Sequence, residues 1–325
     1  MTTGRREYTQ RQLLEELDPV VAKELDRHLG VAKDWMPHEY VPWSEGRNFA
    51  GVLPDGDAWD VGQSTVSDTA RTALVVNLLT EDNLPSYHRE IYQSFGPDGA
   101  WGTWIGRWTA EEGRHGMAIR DYLLTTRAVD PDALERERMA HMTQGFQSAY
   151  DLDMLHTVAY VSFQELATRI SHRNTGKYTE DAYADQLLAR ISVDENLHMV
   201  FYRNLMAAAL EVAPDQAVRA IWDVVSSFEM PGSTIEGFTR RSLKIALAGI
   251  YDLRIHRDEV LAPVLRHWKL FDMEGLSAEG EQARDQLAEF MGDLDVKAAR
   301  FEEKRAAQRA RQSGSRSSSS DAGSS

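Results

Sequence analysis

Apolar residues recur every three or four positions along most of the chain, which is the period of an amphipathic helix. A first stripe runs through residues 9–29, and the longest stripes follow in residues 67–95, 100–127, 152–172 and 180–212. Further helical patterns occupy residues 130–142, 214–228, 237–251, 258–268 and 277–312. No stretch shows the strict alternation of apolar and polar residues that indicates a strand. The pattern predicts an all-α fold.

Three segments interrupt the helical pattern. Residues 30–66 are rich in Pro, Gly and Trp and predict an ordered irregular segment, whose landmark is Trp35. Residues 143–152 predict a short connection, and the Ser/Gly-rich residues 313–325 have the composition of a disordered tail. Because the four longest helices have to share one core, we expect a single domain over residues 1–312.

The most informative motifs are two Glu-x-x-His sequences on different long helices, Glu112 to His115 and Glu195 to His198. The i, i+3 spacing places the carboxylate and the imidazole on one helix face, about 5–6 Å apart at Cβ, so that both can bind one metal ion. One such pair is expected by chance in an acidic chain with 10 His. Whether the two pairs bind metal therefore has to be judged from the residues on the neighbouring helices.

A lone Glu lies on the helix before each pair. Glu81 precedes Glu112, and Glu165 precedes Glu195, at nearly the same distance along the sequence, so the two halves repeat one arrangement. Two lone Glu and two Glu-x-x-His motifs are the ligand set of a di-iron carboxylate site in a ferritin-like bundle. We therefore predict a ferritin-like four-helix bundle as the core, with the other helices packed around it.

The surroundings of the motifs favour iron. Glu112 lies in the most apolar stripe, close to Trp104 and Trp108, where a carboxylate costs several kcal/mol unless it is paired or bound to a metal. Mixed carboxylate and imidazole ligation suits iron or manganese better than zinc. Four Glu also balance the charge of two divalent ions, so we predict a centre of two Fe²⁺ ions.

Two other histidines have weaker claims to a metal. His88 follows Glu81 by two helical turns and could face the same site, although a packed or surface His is the commoner case. Asp153 and His156 have a similar spacing to the two motifs, but they stand at a helix start with no Glu on the preceding helix. We interpret this pair as a solvated first turn.

Composition narrows the class of protein. A hydrophobic content of 42% with 27% charged residues is ordinary for a soluble globular protein, and no apolar run reaches the ~20 residues of a membrane helix. The absence of Cys excludes disulfides and thiolate sites and fits the cytoplasm. The net charge of −15 argues against nucleic acid, and an acidic partner would need a local basic patch. The candidates for that patch are Lys23, Arg27, Lys33 and, further on, Arg240, Arg241, Lys244.

Four segments resemble the ligand helices of the soluble acyl-[acyl carrier protein] desaturases, the type 2 fatty acid desaturases, and the actinobacterial members most closely. These segments are residues 80–87, 108–116, 162–172 and 194–198, and the likeness extends over residues 10–305. By this resemblance the iron ligands are Glu81, Glu112, His115, Glu165, Glu195 and His198. The resemblance further makes Glu112 and Glu195 the bridging ligands.

The resemblance also implies roles beyond ligation. Thr168 matches a hydroxyl beside the oxygen site, although a buried Thr can equally bond back to the preceding helical turn. Trp35 and Asp194 match a Trp and an Asp placed along an electron path to a ligand His. Gly113 stands where the family signature usually has Asn, and Leu197 stands where the plant members have Arg. Neither position is a ligand.

The activity that the resemblance implies is an oxidoreductase reaction in fatty acid biosynthesis. The enzyme would insert a cis double bond into an acyl chain on an acyl carrier protein, using O₂ and two electrons from ferredoxin, and it would be a homodimer. Two alternatives stay open at this point. One is another di-iron oxygenase or hydroxylase that acts on a carrier-bound substrate, and the other is a ferritin-like iron-storage protein.

The residue before the Glu of each Glu-x-x-His motif is acidic, Glu111 in one half and Asp194 in the other. A metal-bound His normally donates its second N–H to a carboxylate or a carbonyl. We therefore predict that Asp194 accepts from His115 and that Glu111 accepts from His198.

Overall fold

The structure, a computed structural model, describes residues 7–146, 153–230 and 232–320, with side chains as far as Arg311. Its main helices, in chain order, are α1 (Gln10–Val31), α2 (Asp68–Asp82), α3 (Leu84–Phe95), α4 (Gly99–Thr125), α5 (Pro131–Gln144), α6 (Met154–Thr179), α7 (Ala182–Val212), α8 (Pro214–Ser226), α9 (Phe238–Ala248), α10 (Leu253–Ile255), α11 (Ala262–His267) and α12 (Ala278–Ser320). A π-helical stretch, His256–Leu261, joins α10 to α11. The predicted all-α fold is confirmed, because the described residues contain only one isolated bridge, between Phe49 and Asp57.

Helices α2, α4, α6 and α7 form the core of the fold. Helices α6 and α7 make an antiparallel hairpin through a tight turn at Glu180, which takes the left-handed conformation. The indole of Trp104 on α4 stacks on Phe201 of α7, with 3.6 Å between ring centroids. The predicted four-helix core is thus present, and its facing sides are filled by large apolar side chains.

The ends of the core helices follow local rules. Ser67 caps α2 by accepting a hydrogen bond from the backbone N–H of Ala70, as its position before the helix predicts. The predicted kink after Glu81 is a complete break at Asn83, since Pro85 in the first turn of α3 has no N–H to continue the helical ladder. Glu81 therefore sits in the last turn of α2, next to the break.

Two helix ends differ from the sequence prediction. Helix α6 continues past residue 172 to Thr179, and Gly176 in this last part lets the backbone of α7 approach closely. A Cβ at Gly176 would lie only 3.2 Å from the Cα of Asp185. Helix α12 extends to Ser320, into the segment for which the composition predicted disorder. Most of the predicted connection at 143–152 lies outside the described residues.

The irregular segment after α1 is attached to the core through one arginine. Arg127 follows α4 in the left-handed conformation, and its guanidinium is buried. It donates to the backbone carbonyls of Asn48 and Asp57, at 3.2 and 3.0 Å, and to the side chain of Gln63 at 2.8 Å. These contacts keep residues 47–63 against the end of α4, while Trp35, earlier in the same segment, is buried in the core.

The remaining helices cover two sides of the bundle. Helix α1 packs on α4 and α7 through a buried stripe that includes Leu17 and Val21. Helix α8 packs on α6 and α7, α9 packs on α2, and α12 packs on the outer side of α8. Within the described part of the chain, no helix combines the length and the apolar character that a bilayer crossing requires.

Candidate metal centre

The structure brings all six predicted ligands together inside the four-helix core. Ligand atoms of one group lie within 4.8 Å of one another, and so do those of a second group. The first group is Glu81, Glu112, His115 and Glu195. The second group is Glu112, Glu165, Glu195 and His198. Because Glu112 and Glu195 belong to both groups, the geometry has the form of two adjacent metal positions that share two carboxylates.

The ligand side chains fit metal ions, because several of their buried atoms have no hydrogen-bond partner among the described residues. Six buried ligand atoms have no hydrogen-bond partner within the described structure, namely Glu112 Oε1, Glu165 Oε2, both oxygens of Glu195, His115 Nδ1 and His198 Nδ1. The shortest approach, 2.7 Å between His198 Nδ1 and Glu112 Oε1, also lacks hydrogen-bond alignment. Buried polar atoms without partners are costly, and convergent carboxylates and imidazoles are suitable donors for divalent ions.

Burial sets the electrostatics of the metal-free site. Burial raises the pKa of Glu165 well above its usual value, and the nearby carboxylates of Glu112 and Glu195 raise it further. Burial alone would lower the pKa of His198, but the carboxylates of Glu111 and Glu112 outweigh it and raise the pKa well above the usual value. Protons therefore occupy this site when cations do not.

Both predicted hydrogen bonds from the ligand histidines are confirmed. His115 Nε2 lies 3.4 Å from Asp194 Oδ2, and His198 Nε2 lies 2.8 Å from Glu111 Oε2. The indole N–H of Trp35 donates to the same oxygen of Asp194 at 2.7 Å. Trp35, Asp194 and His115 thus form one continuous hydrogen-bonded chain from the irregular segment to the first group of ligands.

Three side chains around the ligands were not identified from the sequence. His172 Nε2 lies 2.8 Å from Glu81 Oε1, and Trp108 Nε1 donates to Glu165 Oε1 at 2.9 Å. His172 follows Glu165 by two helical turns, a spacing that could have revealed it. His28, on α1, approaches Glu111 and carries no such signal.

The other candidates lie outside the two ligand groups. Thr168 is buried and donates its hydroxyl to the carbonyls of Gln164 and Glu165, both at 3.1 Å, within its own helix. His88 pairs with Thr109, 2.8 Å away. His156 pairs with Asp153 in the first turn of α6, also at 2.8 Å, which agrees with the interpretation of that pair as a helix start.

A cavity of about 770 Å³ lies against one side of the centre. Its inner wall includes Glu81, Thr168 and His172, from α2 and α6. Its outer wall comes from the chain after α8, with apolar side chains such as Phe228 and Leu243. One predicted ligand, Glu81, therefore lies on the wall of a largely apolar cavity.

Comparison with known proteins gives consistent matches along the chain. The family described as fatty acid desaturase matches residues 9–319, which include all six predicted ligands. A protein of Mycobacterium tuberculosis named as an acyl-[acyl-carrier-protein] desaturase, DesA1, is 52% identical over 301 residues, which cover 90% of this chain and 88% of that protein. Acyl-[acyl-carrier-protein] desaturase 7 of Oryza sativa, a chloroplastic protein, is 31% identical over 318 residues, which cover 90% of this chain and 76% of that protein.

A solved structure supports the same likeness. The X-ray structure of DesA2 from M. tuberculosis H37Rv, titled an acyl-ACP desaturase, superposes with a TM-score of 0.69 at 31% sequence identity. The superposition covers 83% of this chain and 98% of that chain.

Metal should stabilise the folded protein, and more so at higher pH. Fe²⁺ binds the folded site far better than the unfolded chain and should add about 2.7 kcal/mol per site to the free energy of unfolding at a hundredfold excess over Kd. The raised pKa of Glu165 makes the metal-free protein lose stability as pH rises from the usual carboxyl pKa toward the raised one, because the unfolded chain then releases a proton that the folded core retains. Protons also compete with the metal at low pH, so both effects increase the metal-dependent gain as pH rises.

The measurement is thermal unfolding of metal-free and Fe²⁺-loaded protein under anaerobic conditions at an acidic and a neutral pH. Glu112→Ala and Glu195→Ala serve as controls, since each removes a carboxylate shared by both ligand groups. A metal-dependent rise in the midpoint that is as large in these variants as in the wild type would refute the site.

Proposed function

The chain belongs to the fatty acid desaturase family, and we propose that it inserts a cis double bond into a fatty acyl chain carried by an acyl carrier protein. One observation carries the proposal. Glu81, a member of the first ligand group, lines a cavity of about 770 Å³ whose wall is largely apolar, and such a cavity suits an acyl chain. Carrier-bound acyl chains are also what the names of the relatives specify as their substrates.

Two Fe²⁺ ions would be held by Glu81, Glu112, His115, Glu165, Glu195 and His198, with Glu112 and Glu195 shared between them. When bound, such a pair reduces O₂ and supplies an oxidant able to attack an unactivated C–H bond. In the balanced reaction two hydrogens leave the acyl chain, and two external electrons and two protons complete the conversion of O₂ to two water molecules. The protein has to place the chain, exclude water and deliver those electrons.

The residues around the site provide each of these functions. The cavity removes the acyl chain from water and places it against Glu81, Thr168 and His172. Asp194 fixes the ring of His115 by accepting from its Nε2. We further propose that electrons enter through Trp35 and Asp194, because these two side chains connect the outer segment to a ligand His without a gap.

The partners of the reaction are part of the same proposal. We propose reduced ferredoxin as the electron donor, a homodimer as the working form and the cytoplasm as the location, on the basis of family membership and a sequence without Cys. Light scattering of the purified protein tests the dimer, and comparison of ferredoxin with other reductants tests the donor.

The activity is tested with the iron-loaded protein, stearoyl- and palmitoyl-acyl carrier protein, reduced ferredoxin and O₂, followed by mass analysis of the released acyl chains. We expect a product lighter than its substrate by two hydrogens, and none with Glu112→Ala. A hydroxylated product would replace the proposal with a hydroxylase. Iron mineralisation without acyl turnover would replace it with an iron-storage protein.

We propose that the hydroxyl of Thr168 serves the reaction, because this residue lines the cavity next to Glu81. Thr168→Val keeps the shape and deletes the hydroxyl, so the rate of product formation should fall by about 10²-fold and the product formed per O₂ consumed should fall with it, because a proton donor would be lost. The thermal midpoint should change little, since one back-bonded hydroxyl contributes only about 1 kcal/mol. Ser162→Ala is the matched control, because Ser162 makes the same kind of bond on α6, to Val158 at 2.7 Å. Equal coupling in Thr168→Val and the wild type would contradict this role.

We propose that the carrier protein docks at the basic surface of α9. Arg240 is exposed there, and Lys244 reaches across to Asp68 on α2. Leu243, between them, lines both the large cavity and a neighbouring surface hollow that also includes Arg240 and Lys244. The exposed charge of Arg240 therefore lies near the cavity, whereas Lys244 and Arg241 are paired with Asp68 and Glu137. An acidic carrier could deliver its acyl chain there.

Arg240→Glu should raise KM for the acylated carrier by about tenfold at low salt and leave kcat at saturation nearly unchanged. The difference should shrink as salt rises, because exposed charges are screened beyond about 8–10 Å near physiological ionic strength. Lys23→Glu, on α1, is the matched control and also tests the other candidate group. If Lys23→Glu raises KM more than Arg240→Glu does, the docking surface is on α1 instead.

A further inference from the structure

One buried histidine outside both ligand groups contacts the centre at a defined atom. His28 is carried by α1 and is fully buried. Its Nε2 lies 3.0 Å from Glu111 Oε2, the same oxygen that His198 Nε2 approaches at 2.8 Å. Arg107 holds the other oxygen of Glu111, with Nε at 2.6 Å. Glu111 is therefore surrounded by three donors.

These contacts determine which nitrogen of His198 is free for a metal. A carboxylate only accepts hydrogen bonds, so both imidazoles must bring a proton on Nε2 to Glu111. The Nδ1 of His198 is then directed toward Glu112 and Glu165, at 2.7 and 3.6 Å. The position of Glu111 thus controls the tautomer and the direction of His198 as a ligand.

The other half of the site has the same arrangement with Trp35 in place of His28. Asp194 accepts from His115, from the indole of Trp35 and from Arg114, the last at 2.9 Å. Trp35 stacks on the ring of His115 at 6.3 Å with an interplanar angle of 15°. His28 likewise stacks on His198 at 5.7 Å and 24°. Arg190 also donates to the other oxygen of Asp194, as Arg107 does to Glu111. Each ligand His therefore has an acid that accepts from arginine and from a stacked aromatic N–H donor.

His28 has little freedom to take another position. Its ring meets the edge of Trp104 at 5.1 Å, with an interplanar angle of 83°. Trp104 is itself fixed by stacking on Phe201 and by donating to the hydroxyl of Tyr202 at 3.0 Å. Helix α1, which lies outside the four-helix core, thus supplies a rigid donor to the ligand system.

From this geometry we propose that His28 is a positioning residue for the second metal position, formed by Glu112, Glu165, Glu195 and His198. It acts by holding Glu111, which in turn orients His198, and the inference rests on the proposed metal centre. Trp35 has the equivalent effect on the first position, through Asp194 and His115. Loss of either donor should therefore weaken one metal position and leave the other unchanged.

The test is Co²⁺ binding to the metal-free protein, followed by visible absorption and by competition with a chelator. His28→Phe keeps a stacked ring and removes the donor, and we expect it to weaken one of the two sites by about 10- to 100-fold. His28→Gln keeps an N–H donor and should recover part of the lost affinity. Trp35→Phe is the matched control, and the site that it weakens should have a different Co²⁺ spectrum from the site weakened in His28→Phe.

The outcomes separate this inference from the metal centre itself. If the wild type does not bind two Co²⁺ ions, the centre is wrong. If the wild type binds two and His28→Phe binds both with unchanged affinity, or weakens both equally, the role of His28 is wrong. Thermal unfolding of the metal-free variants shows whether they fold, and if His28→Phe does not, the comparison of His28→Met with His28→Gln isolates the donor in the same way.

Discussion

The burial of four carboxylates and two imidazoles in one apolar core is the constraint on which the rest of this structure depends. Like charges at low dielectric repel strongly, and every unpaired polar atom there has a cost. The protein reduces this cost by giving several ligands an outer hydrogen bond that leaves another ligand atom free. Trp108 donates to Glu165, and His172 contacts Glu81 through its Nε2. Asp194 and Glu111 accept from His115 and His198. The remaining unpaired atoms converge on two positions, where divalent cations can neutralise them.

The outer hydrogen bonds explain why the fold needs more than a four-helix bundle. The acids before the ligand Glu residues are themselves buried charges and require donors of their own. Some of these donors are arginines on the core helices, such as Arg107 for Glu111 and Arg114 for Asp194. The other donors belong to the chain outside the bundle, to α1 and to the segment that follows it. Those elements therefore belong to the site as much as to the packing of the core.

The residues of the site that could be predicted are those whose spacing within one helix is visible in the sequence. The spacing of Glu112 and His115 within one helix is visible in the sequence, and its repetition in the second half made the ligand set recognisable. His172 was accessible to the same reasoning, since it lies two turns after Glu165 on one helix face. His28 was not accessible, because only the packing of α1 on α4 and α7 brings it to Glu111. The outer wall of the cavity also could not be predicted from the sequence, since much of it comes from segments without a helical pattern of apolar residues.

The duplicated ligand arrangement is placed in an asymmetric environment. Both ligand histidines and both outer acids belong to α4 and α7, and they face α1 and the segment that contains Trp35. The cavity is lined instead by α2, α6 and the chain from Phe228 onward. A symmetric ligand set thus has a hydrogen-bonded side and a substrate side. Under the proposed electron entry through Trp35, electrons would approach without crossing the volume that an acyl chain would occupy. Because the ligands repeat and their surroundings do not, we expect the specificity of the reaction to depend on the cavity wall, which combines two bundle helices, α2 and α6, with the chain added around the bundle.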